Sequence, residues 1–71
     1  MTRSDHIAID DRILFIDRFG DLHEAQVDHI WGDPDDLPTI NVRCLDDYAE
    51  PTTSVQHRSK TDAPGFYWMH R

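Results

Sequence analysis

A single cysteine, Cys44, excludes an internal disulfide framework. No apolar run extends beyond Ile13–Ile16 or Phe66–Met69, far short of the ~18 residues that a membrane-crossing helix needs. The opening "MTRSDHIAIDD" has no apolar core of the kind a secretory signal carries. These absences predict a reducing, intracellular setting, with neither secretion nor contact with a membrane. Cations are scarce as well: seven Lys and Arg oppose fourteen Asp and Glu, a net charge of −7. General nucleic-acid binding needs a basic stripe to neutralise phosphates, and the overall charge argues against it. The imbalance is concentrated in residues 1–36, where three arginines face ten acids; residues 37–71 hold four basic residues against four acids.

What is present predicts one small domain over residues 1–71, with residues 1–10 readable as a flexible N-terminal arm. Three Phe, two Tyr and two Trp are too many for a chain that cannot collapse. Five short apolar segments alternate with polar turns. "RILFI" (12–16) leads through a tight Gly20-Asp21 connection into "LHEAQVDHIW" (22–31), which predicts a hairpin. In the second segment Ala25 and Val27 share a face, but Ile30 falls out of alternation; a bulge at Asp28-His29 restores it to the core. A helix over 22–31 is the competing reading, because Leu22, Ala25, Gln26 and His29 also fit a 3.6-residue period. "WGDPDDLP" (31–38) reads as a loop. "TINVRCL" then places Ile40, Val42 and Cys44 on one side, "TTSVQHR" (52–58) supplies a strand with Val55 inward, and "FYWMH" closes the set. The fold class expected is mainly β: a five-stranded SH3-like barrel. Phe66, Trp68 and His70 should face one side of the last strand and Tyr67 and Met69 the other, so some large apolar groups should stay partly exposed.

The order of these segments resembles small accessory proteins of tailed bacteriophages and prophages. That family has an Ala-x-Val strand followed by an acid-rich loop, an Asn-bearing strand ending near Val or Cys, a Ser-Val-x-His or Ser-Val-x-Tyr segment, and a closing Pro-Gly-x-x-Trp-x-His. Here "EAQVDHI", "INVRC", "SVQH" and "PGFYWMH" stand in that order across residues 12–70. The ending departs from the commoner adjacent Trp-His pair, because Met69 separates Trp68 from His70. The resemblance implies a compact β-barrel of phage ancestry, in the host cytoplasm or associated with the virion, and carries no catalytic residues with it.

The side chains that bear chemistry fit no known reactive pattern. His6, His23, His29, His57 and His70 lack the spacing of a structural zinc site and read as solvated strand and loop histidines. Alternation places Cys44 inside, where a thiol is inert. The "DPDD" acids lack the glycine and terminal glutamate of a twelve-residue calcium loop. No glycine-rich phosphate loop and no nucleophile elbow occurs. The expectation is a non-enzymatic protein without cofactor or metal. The candidate binding residues are Arg43, His57, Arg58, Lys60, Tyr67 and Trp68, which would form a basic and aromatic patch if the third and fourth strands pair. Two partner classes suit such a patch: a protein surface, including a second copy in a homodimer, or a small anionic ligand such as a nucleotide sequestered against host defence.

Overall fold

The computed structural model describes residues 6–71. It is mainly β, with strands β1 (Arg12–Ile16), β2 (Leu22–Ile30), β3 (Ile40–Cys44), β4 (Gln56–His57) and β5 (Tyr67–His70), and a single 3-10 turn, Arg58–Lys60, between β4 and β5. The sheet order is β3-β2-β1-β5-β4. β1 lies at its centre, antiparallel to both β2 and β5, and β4 runs parallel to β5. Val55, just before β4, returns to β3 and exchanges both backbone hydrogen bonds with Ile40, at 2.9 and 2.7 Å. That bridge draws the two ends of the sheet together, so the five strands curl into a half-barrel consistent with a small SH3-like barrel.

The β1–β2 hairpin forms as its turn chemistry requires. Gly20 adopts a left-handed φ of 89°, and its N–H donates to the Asp17 carbonyl at 2.9 Å. β2 is a strand, so the helical alternative for 22–31 does not hold. Its register against β3 shifts between Val27 and His29, which puts the extra residue at Asp28 and returns Ile30 to the edge of the core. Ile13, Phe15, Ala25, Val27, Ile40, Val42, Val55 and Trp68 fill the interior together with Ile7. Ile7 donates its N–H to Pro34 at 3.0 Å, and Asp10 and Asp11 bond to Val27. The predicted N-terminal arm is therefore fastened to the barrel from Ile7 onward; residues 1–5 lie outside the described residues.

Two strands are shorter than expected. The strand predicted over 52–58 is reduced to Gln56–His57, because Ser54 takes a left-handed φ of 56° and His57 already caps the 3-10 turn, its Nδ1 accepting from the Ser59 N–H. The closing strand starts at Tyr67, since Phe66 sits at φ 60°. Gly65 explains that entry. A Cβ there would overlap the Asp17 carbonyl oxygen, which also accepts the Phe66 N–H at 3.2 Å, so the chain enters β5 pressed against the β1 turn. No helix among the described residues is long and apolar enough to cross a membrane.

Candidate functional site

The predicted patch does not assemble as one surface. Trp68 is fully buried, and its indole N–H donates to the Pro38 carbonyl at 2.9 Å, so it seals the barrel and offers nothing to a partner. Tyr67, on the outer face, is half-buried beside its neighbour Ile16. His57 lies edge-on to Trp68, with ring centroids 4.6 Å apart, while Arg58 and Lys60 project from the 3-10 turn and Lys60 approaches Asp36 at 3.7 Å. Arg43 is exposed, but its guanidinium donates to Gln26 on β2 at 2.8 Å and stands 4.0 Å from Asp10. The segment 52–55 borders β3 on the edge opposite β2, whereas the Arg43 guanidinium reaches toward β2 and Asp10.

The structure instead reveals a polar network that the sequence reading overlooked. His23 stands between two carboxylates, its Nε2 2.6 Å from Asp17 Oδ2 and its Nδ1 2.6 Å from Asp46 Oδ2. The expectation of solvated histidines fails here, since His23 is largely covered by its own network and by Tyr48, whose ring centroid is 4.6 Å away. Asp17 is buried and also accepts N–H bonds from Phe19 and Asp21 at 2.8 and 3.0 Å. Strand parity carries the signal for this site. Asp17 is two residues beyond Phe15, His23 two before Ala25, and Asp46 two beyond Cys44, so all three continue inward-facing series and meet at one mouth of the barrel.

Burial works against charge on His23, but the bonds to Asp17 and Asp46 outweigh it and raise its pKa above the ordinary imidazole value. Burial likewise opposes the Asp17 carboxylate, and the bonds from His23, Asp21 and Phe19 prevail and lower its pKa. The His23 bond lowers Asp46 too, helped by the Tyr48 N–H. With both ring nitrogens committed, His23 has none left to exchange protons with a substrate or to ligate a metal. The network therefore serves as a polar clamp joining the β1–β2 turn to the loop after β3. Beside it, burial and then the charges of Asp46 and Asp17 push the Cys44 thiol up to about 11, which suppresses its reactivity.

Among the described residues, five large apolar side chains are exposed: Phe19, Leu22 and Leu45 near the hairpin end, and Ile9 and Trp31 near the other end of β2. Leu45 donates its N–H to Glu24, which places it diagonally from Leu22 across β2. Arg18 lies over the Phe19 ring at 4.8 Å. At the far end Trp31 donates its indole N–H to Asn41 at 2.8 Å and meets His29 edge-on at 4.3 Å. No pocket is enclosed among the described residues. No protein-family model, curated protein or solved structure matches the chain.

Proposed function

We propose that this protein is a non-enzymatic interaction module of a phage or prophage, acting in the host cell or on the virion, that docks on a protein surface or on a second copy of itself. The observation that carries the reading is the set of large apolar side chains left outside a fold with a filled core. Phe19 and Trp31 are 69% and 59% exposed, although the barrel interior holds other aromatic rings. Exposed aromatic and aliphatic groups at two separate places are what protein interfaces use as anchors. The phage setting is supported by the order of the short strand motifs across residues 12–70.

Sedimentation velocity at about tens of micromolar, combined with a nucleotide melting screen, tests the reading. The expected result is a dimer that Phe19→Lys with Leu22→Lys dissociates without lowering the melting temperature, and no stabilisation by any nucleotide. A nucleotide present at a hundred times its Kd would add about 2.7 kcal/mol to stability. Such a gain, with the protein monomeric throughout, would overturn the reading in favour of a ligand-sequestering protein.

A further inference from the structure

The far end of β2 differs from the hairpin end in one respect: its tryptophan is held rigid. The Trp31 backbone N–H donates to Thr39 at 2.9 Å, closing the loop between β2 and β3. The indole N–H is fixed on Asn41, whose Oδ1 also accepts the Ser54 N–H at 2.9 Å. His29 braces the ring from the side at 4.3 Å. An exposed aromatic with its rotamer already locked loses little conformational entropy on binding.

The chain segments that flank this ring carry charge of one sign, and Arg43 and Lys60 reach two of their acids from neighbouring elements. Residues 6–11 and 28–36 contribute Asp10, Asp11, Asp28, Asp33, Asp35 and Asp36 and not one Lys or Arg. Asp10 and Asp11 are bonded to Val27, which sets the N-terminal segment alongside this end of β2 and brings Ile9, 50% exposed, toward it. Of the acids, Asp10, Asp35 and Asp36 meet Arg43, His6 and Lys60, whereas Asp28 and Asp33 have no ion-pair partner among the described residues. The potential here repels phosphates and attracts cations. An indole face is also the best aromatic surface for a cation to rest on.

Resting on the interaction-module reading, we infer that Trp31, Ile9 and the acids Asp28 and Asp33 form a docking surface for a cationic, arginine-bearing segment of a partner protein. An arginine of that segment stacks on the Trp31 indole, and its neighbours face the aspartates. Because this surface is separated from Phe19 and Leu22 by the length of β2, the two can be tested independently.

The probe is a capped hexa-arginine peptide, with hexa-glutamate and ATP as controls, titrated at about 0.15 M salt to screen loose surface attraction. The side-chain N–H signals of Trp31 and the buried Trp68 provide the readout. Saturable movement of the Trp31 signal with Trp68 unmoved is expected. So is an affinity loss of about tenfold for Trp31→Ala, the scale of losing one anchoring aromatic. Trp31→Phe, which keeps an aromatic face, should lose less, and Phe19→Lys with Leu22→Lys should bind as the parent does. Equal affinity in Trp31→Ala would show only diffuse attraction to the acidic half and would overturn the proposal, as would ATP moving the Trp31 signal. If dimerisation through Phe19 and Leu22 is found while Trp31 stays silent, this inference fails and the interaction-module reading stands.

Discussion

Trp68 and Tyr67 are adjacent in sequence and opposite in consequence. The tryptophan is wholly enclosed and satisfies the Pro38 carbonyl, while the tyrosine lies half-exposed on the outer face. Removing a buried tryptophan typically costs about 3–5 kcal/mol, close to the whole stability of a small domain. Trp68→Ala should therefore unfold the protein or lower its melting temperature severely. Tyr67→Ala should cost about 1 kcal/mol, as ordinary substitutions do. Paired thermal melts check this, and a larger loss for Tyr67→Ala than for Trp68→Ala would mean that the closing strand is slipped by one residue. The faces of β5 are set by strand parity, but parity alone leaves two choices. Gly65 helps to decide between them by fixing, against the Asp17 carbonyl, where the strand begins.

At the scale of elements, the Asp17–His23–Asp46 clamp ties the β1–β2 turn to the loop following β3, and its strength should depend on pH. His23 titrates higher in the folded chain than its ordinary 6.5, so its contribution is complete below that value and is lost as pH rises through the raised one. Asp17 and Asp46 titrate below their ordinary 3.8, so theirs is present above that value and is lost as pH falls through the lowered ones. The clamp is therefore fully formed only between those limits. Melting temperature should fall in the parent protein as pH rises from the ordinary 6.5 of His23 through its raised value. In His23→Gln it should start lower and stay nearly flat over that range. Parallel slopes in the two proteins would show that His23 is not the titrating group. Asp46 is the partner more open to water, so the loop after β3 is the element expected to loosen first.

For the whole molecule, a net charge of −7 sets two binding modes against each other. Self-association through Phe19 and Leu22 brings two acidic bodies together, so added salt should strengthen it by screening their repulsion. Capture of a cationic segment at Trp31 should weaken over the same range. Measuring both between about 0.05 and 0.5 M salt separates them, and a dimer that loosens with salt would point to an interface built on ion pairs instead.

Alternation within each segment was enough to specify the β-class, the hairpin, a bulge at Asp28-His29 and the inward positions of Ala25, Val27, Ile40, Val42 and Val55, because a strand's side-chain period is local geometry. Which segments become neighbours was decided only by closure of the sheet. Pairing of β5 with β1 set Trp68 opposite Phe15 in the core, and the bridge between Ile40 and Val55 laid the segment before β4 against β3. The same closure brought Asp17, His23 and Asp46 to one mouth although Asp46 lies 23 residues beyond His23 in the chain. Periodicity says which way a side chain points along its own strand. What it meets there depends on a long-range pairing that no local pattern encodes.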